Sequence, residues 1–161
     1  MVGTKVLLIY TGGTIGMIKD SETGVLKPFD FEQIKKEVPE LNKFEGEIEA
    51  ISFETPLDSS SMSPDIWIKI TDIIEEQYSQ YDGFVVLHGS DTMAYSASAL
   101  SFMLHGLDKP VIFTGSQLPI GTIRTDGKEN LITAIEIASA KKANKPVVPE
   151  VAIYFENQLY R

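Results

Sequence analysis

Three short stretches of the chain hold residue types that could do chemistry: TGGT at 11–14, HGSDT at 88–92 and TGSQ at 114–117. Each joins glycine to serine or threonine, and the second adds Asp91. Glycine lets a backbone close on a small ligand, which leaves neighbouring hydroxyls pointing into one crevice. A single glycine-rich strand end is ordinarily a tight turn; three in one short chain point to a site. A hydroxyl is a poor nucleophile until a neighbour takes its proton, and the oxyanion it generates needs hydrogen-bond donors. A carboxylate or a lysine amine could meet the first need, and glycine N–H groups the second.

Competing chemistries fit less well. A P-loop needs Gly-Lys-Ser/Thr after four intervening residues, and GGTIGM holds no lysine; Gly12, Gly13 and Gly16 also miss the dinucleotide spacing G-x-G-x-x-G. The two histidines, His88 and His105, form no cluster with carboxylates at metal-ligand spacing, so no metal is expected. His88 sits at the end of a strand without a G-x-S-x-G elbow, which reads as a packed or hydrogen-bonded histidine rather than a triad base.

The elements that must position these residues alternate along the chain. KVLLIY at 5–10 is a continuous apolar run closed by glycine, as a buried strand is. Residues 18–29 carry turn formers and read as a loop or hairpin, and Asp30 is placed to cap a short helix that stops before Pro39. EIEAISFET alternates like a strand exposed on one face. Ser63 and Pro64 then open a helix with Ile66, Ile70, Ile73, Ile74 and Tyr78 at helical spacing. GFVVLH and KPVIFT repeat the strand-then-glycine pattern, each followed by a helical stretch, and VAIYF is a further strand with ENQLYR trailing it. The expectation is an α/β fold in three layers, a mostly parallel sheet with helices on both faces. Ligands in such sheets sit at the carboxyl ends of the strands.

Composition narrows the partner. The chain has 161 residues, long enough for one domain, with 43% hydrophobic and 23% charged residues. A net charge of −9 argues against nucleic acid and anionic membranes and suits a small zwitterionic or neutral ligand. There is no cysteine, so disulfides and thiolate metal sites are excluded. The N-terminal apolar run meets glycine too early for a secretory signal, and no segment approaches the ~20 apolar residues of a membrane span. A cytoplasmic location is the expectation.

The chain resembles the N-terminal portion of the bacterial-type L-asparaginases, of the cytoplasmic type I. YTGGTIGM, TPLDSSSM, YDGFVVLHGSDTMAYSASALSFML, KPVIFTGSQLP and ENQLYR carry the resemblance, stand in the family's order and cover essentially the whole chain. It implies the larger, N-terminal asparaginase domain over residues 1–161, and hydrolysis of L-asparagine to L-aspartate and ammonia without a cofactor. It makes Thr14 the nucleophile, with Ser90 and Asp91 as the other half of the catalytic site. Asp58, Ser59, Ser60, Ser90 and Asp91 match the positions that bind substrate. Ser90 stands where the family usually has threonine and lacks the methyl that restricts the rotamer. Family members often place a tyrosine on the loop after the first motif; here Val25 occupies the matching stretch. The family's catalytic lysine lies a few residues beyond ENQLYR, and a C-terminal domain completes the site across a dimer interface. The chain is therefore expected to be the N-terminal part of a longer enzyme, a homodimer or homotetramer when intact, and inactive or nearly so by itself.

Two other readings keep the fold. A glutamine-deamidating subunit of a tRNA-dependent amidotransferase would favour glutamine and need a partner subunit. A non-catalytic module would bind a small amino acid such as aspartate without turnover.

Overall fold

The computed structural model describes residues 3–19, 26–27 and 31–161. The first apolar run is β1 (Thr4–Gly12), buried from Val6 onward. After a short helical turn at Thr14–Gly16, β2 (Ile18–Lys19) and β3 (Leu26–Lys27) pair antiparallel, as the hairpin reading of 18–29 requires. Val25 and Asp30 lie outside the described residues. Helix α1 (Phe31–Glu37) stops short of Pro39, and β4 (Gly46–Leu57) follows as an edge strand of alternating exposure. Helix α2 (Pro64–Gln77) begins where Ser63 and Pro64 place it. Ser63 serves through its carbonyl, which accepts from the Ile66 and Trp67 amides; its hydroxyl makes no capping bond.

The remaining elements are β5 (Gly83–Leu87), α3 (Met93–Met103), β6 (Val111–Thr114), α4 (Gly127–Ser139), β7 (Lys141–Lys142), β8 (Lys145–Pro146), β9 (Val151–Phe155) and β10 (Gln158–Tyr160). The main sheet runs β4-β1-β5-β6-β9-β10. Its first five strands are parallel and β10 is antiparallel. ENQLYR is thus no simple tail but the return arm of a hairpin on β9.

Two apolar layers clamp the sheet. Val6, Leu8, Tyr10, Val85, Leu87 and Ile112 face Ile34 of α1 and Leu131, Ala134 and Ile135 of α4. Leu7, Ile9, Phe84, Val86 and Phe113 face Ile70 and Ile74 of α2 and Ala97 and Leu100 of α3. Period-2 alternation sends neighbours in each strand to opposite layers, so strands buried on both faces read as unbroken apolar runs. Full burial of one such side chain is worth about 1.5–3 kcal/mol. The three-layer α/β expectation holds.

The strand order reverses at β1: β4 pairs with one edge of it and β5 with the other. Connections leaving β1 and β5 diverge to opposite faces, which opens a crevice beyond their carboxyl ends. TGGT closes β1 and HGSDT follows β5, so both motifs border that crevice.

Candidate functional site

Four strand ends meet around a cleft of about 480 Å³. Gly13 and Thr14 come from β1, Asp58 and Ser59 from β4, Gly89, Ser90 and Asp91 from β5, and Gln117 from the segment after β6. The loops touch through glycine. Gly13 adopts φ 85°, and a Cβ on it would lie 2.6 Å from the Cα and N of Gly89. A Cβ on Gly89 would in turn lie 2.6 Å from Cβ of Ser59. No side chain fits between these backbones, which is why glycine occupies both positions.

The loop after β4 is tied to the loop after β5. Ser59 is 5% exposed and donates its hydroxyl to Asp91 Oδ2 at 2.8 Å. Thr92 Oγ1 donates back to the Ser59 carbonyl at 2.7 Å. Asp91 and Ser90 remain exposed to the cleft, and Thr14 is half-buried across from them. The cleft therefore brings together two accessible alcohols, two carboxylates and a buried serine.

Ser60 behaves differently. It is exposed, does not line the cleft, and donates its hydroxyl to Asp58 Oδ1 at 2.6 Å and its amide to the same oxygen at 2.9 Å. These bonds, the hydroxyl's first, hold the Asp58 carboxyl below the usual carboxylate range. Asp58 lines the cleft while capping the short turn at Ser59–Ser61.

Not every hydroxyl of the three motifs reaches the crevice, contrary to the sequence expectation. Thr11 is fully buried and donates to the Leu87 carbonyl at 3.0 Å, stitching β1 to β5. Thr114 donates to the Tyr154 carbonyl at 2.8 Å, stitching β6 to β9, and Ser116 donates to the Leu118 carbonyl at 2.6 Å. Only Gln117 of TGSQ lines the cleft. Its backbone is held by Asp126, whose carboxylate accepts from the amides of Gln117 at 2.8 Å and Leu118 at 3.1 Å. Gln117 stood in a quoted motif, but nothing in its type or spacing separated it from the serine before it.

His88 is packed and hydrogen-bonded, as expected. It is fully buried, with Nδ1 2.7 Å from the Gly89 carbonyl and Nε2 2.9 Å from Ser96 Oγ. A carbonyl only accepts, so Nδ1 carries the proton; Nε2 then accepts from Ser96, whose oxygen accepts Trp67 Nε1–H at 2.9 Å. Burial pushes the imidazole pKa down. This relay from α2 through α3 ends on the peptide that precedes Ser90. With both nitrogens engaged, His88 is no base for Thr14.

Among the described residues no group of three or more His, Cys, Asp or Glu could hold a metal ion, and no helix is long and apolar enough to cross a membrane. The arrangement suits a small molecule bearing an ammonium, which Asp91 can face, and an electrophilic carbon within reach of an alcohol.

Comparison with known proteins gives a consistent picture. A sequence profile of the family described as "Asparaginase, N-terminal" matches residues 5–161. L-asparaginase 1 of Escherichia coli (strain K12) is 46% identical over 158 residues, covering 98% of this chain and 45% of that protein. A glutamyl-tRNA(Gln) amidotransferase subunit of Pyrococcus abyssi (strain GE5 / Orsay) is 38% identical over 146 residues, covering 89% of this chain and 33% of that protein. The crystal structure of L-asparaginase I from Vibrio cholerae O1 biovar eltor superposes with a TM-score of 0.82 at 41% identity, covering 99% of this chain and 47% of that one. The chain thus spans a little under half the length of these two asparaginases.

Proposed function

The chain belongs to the asparaginase family, and from that premise we propose that it supplies the nucleophile-bearing part of an enzyme that hydrolyses L-asparagine to L-aspartate and ammonia. The Thr14 hydroxyl adds to the side-chain amide carbon, and its proton passes to a base and then to the departing amine. Ammonia leaves, an ester joins the aspartyl group to Thr14 Oγ1, and water cleaves that ester to release aspartate. Backbone N–H groups of the glycine loops face the developing oxyanion.

Asp91 takes the substrate ammonium, pre-set by the bond from Ser59. Ser59 and Asp58, with neighbouring amides, frame the α-carboxylate, and Ser90 supplies the second hydroxyl of the site. Ser60 acts on this site through Asp58. The base that accepts the Thr14 proton is, by the resemblance, a lysine beyond Arg161. No cofactor enters the scheme. A protein of this kind and charge fits the cytoplasm, as a homodimer or homotetramer, which size-exclusion chromatography with light scattering would read directly.

What supports this reading most is the convergence of Thr14, Ser59, Ser90 and Asp91 on one cleft where the strand order reverses. The test is ammonia release from asparagine and from glutamine by the complete gene product. Turnover of asparagine well above glutamine is expected. Preference for glutamine would favour the amidotransferase reading, which the similarity to the Pyrococcus abyssi protein motivates. Aspartate binding by calorimetry without any turnover would replace both with a binding module.

A further inference from the structure

Tyr10 ends the apolar part of β1 and looks like one more core residue: fully buried, on the layer shared with α1 and α4. A buried tyrosine must still place its hydroxyl. Here the phenol O–H donates to the Gly13 carbonyl at 3.1 Å, across the turn that carries the nucleophile. Gly16 holds the ring in place. A Cβ on that glycine would lie 2.3 Å from Tyr10 Cε2, so its backbone packs flat against the aromatic face. Burial pushes the phenol pKa up to about 12, so it stays protonated and able to donate across the neutral and mildly alkaline range.

The Gly13 carbonyl belongs to the peptide that joins Gly13 to Thr14. A trans peptide is planar, with C=O and N–H pointing opposite ways, and no described peptide bond is cis. Holding the carbonyl toward the Tyr10 phenol therefore turns the Thr14 N–H away from it and fixes the plane from which the Thr14 side chain departs. Gly13 cannot fix that plane alone, since φ 85° is one of several conformations open to a glycine. On its other side Thr14 is held by its carbonyl, which accepts from the Met17 amide at 3.0 Å.

We propose that Tyr10 is a positioning residue for Thr14: its phenol locks the Gly13–Thr14 peptide plane, and with it the direction of the nucleophilic hydroxyl. This rests on Thr14 being the nucleophile. Tyr10 touches no substrate; it acts through the backbone from below the site.

The experiment is Tyr10→Phe in the complete gene product, which keeps the ring against Gly16 and removes the phenol hydroxyl with its bond to the Gly13 carbonyl. Ile34→Val, in the same apolar layer but away from the cleft, is the control for lost core stability. Tyr10→Phe is expected to lower kcat about tenfold with KM within about twofold, because misplacing a reacting group acts on the chemical step. Ile34→Val is expected to lower the melting temperature and leave kcat unchanged. Wild-type kcat in Tyr10→Phe, with the parent enzyme active, overturns the proposal and leaves the asparaginase reading intact. Loss of kcat in both variants alike also overturns it, since stability alone would then explain the effect. If the parent turns over no amide, the functional reading fails first. The hold on the peptide is then read from the Thr14 amide resonance by NMR: a shift in Tyr10→Phe sustains it, and an unmoved resonance refutes it.

Discussion

The ends of β5 and β6 are written in nearly the same letters, LHGSDT and FTGSQ, and the fold uses them in opposite ways. After β5, Ser90 and Asp91 are exposed to the cleft, and Ser59 reaches across from the neighbouring loop to hold the carboxylate. After β6, Thr114 and Ser116 are buried and each donates to a backbone carbonyl. A short hydroxyl side chain satisfies nearby backbone wherever it can. It is released for chemistry only where something else holds the backbone. After β5 that work is done by His88 on the Gly89 carbonyl and by Gly13 packed against Gly89. The crevice lies beside β5 because β5 borders β1, where the strand order reverses; β6 stands one strand farther away.

The largest effect should come from forcing the two cleft loops apart. Gly13→Ala places a Cβ 2.6 Å from the Gly89 backbone at a φ of 85°, and asparagine hydrolysis is expected to fall at least about 100-fold. Near-normal activity in that variant would break the picture of loops in contact. The serine contrast is sharper still in logic, though smaller in size. Ser90→Ala should cost roughly 100-fold in kcat/KM, the order seen when one directed polar group is removed from a reacting site. Ser116→Ala should leave kcat/KM within about twofold and lower unfolding free energy by about 1 kcal/mol. Equal kinetic losses at both serines would erase the distinction between the two strand ends.

Ser59→Ala comes next. It frees Asp91 Oδ2 and should raise KM about tenfold with little change in kcat, read from initial rates across asparagine concentrations; this is the scale of one charge-assisted hydrogen bond. The smallest effect concerns His88. Its native pKa lies below the ordinary value because burial disfavours the charged form. The unfolded chain takes up the proton below its pKa of about 6.5 while the native one does not, so this group's contribution to stability is present above that pH and lost as pH falls through and below it. The loss approaches about 1.4 kcal/mol per pH unit for one proton. Urea unfolding at pH 7.5 and pH 5.5 should show that decline in the parent and a flatter one in His88→Gln. The pair subtracts other groups, since most carboxylates titrate lower.

Much of the frame was readable from the chain. Unbroken apolar runs closed by glycine marked β1, β5 and β6, because a strand buried on both faces has no reason to alternate. Ser63 and Pro64 marked the start of α2. The two late hairpins were not legible. Ala143 and Asn144, and Glu156 and Asn157, all adopt positive φ in two-residue turns, and neither pair contains the glycine that usually announces one. Within the site, the motifs single out Thr14, Asp58, Ser59, Ser90 and Asp91, which share one cleft. They single out Ser60 as well, and it turns to Asp58. Strand order decides which hydroxyl faces the crevice, and strand order is a property of long-range pairing that no local motif carries. Tyr10 escaped for the complementary reason: in a buried run its hydroxyl has no sequence signature.

Thr14, and not Ser90 across the same cleft, is proposed to form the bond to substrate. The direct test is rapid acid quench of the complete gene product during asparagine turnover, followed by peptide mass spectrometry. An aspartyl ester is expected on the peptide containing Thr14 and none on the peptide containing Ser90. An ester on Ser90, with Thr14 unmodified, would contradict it.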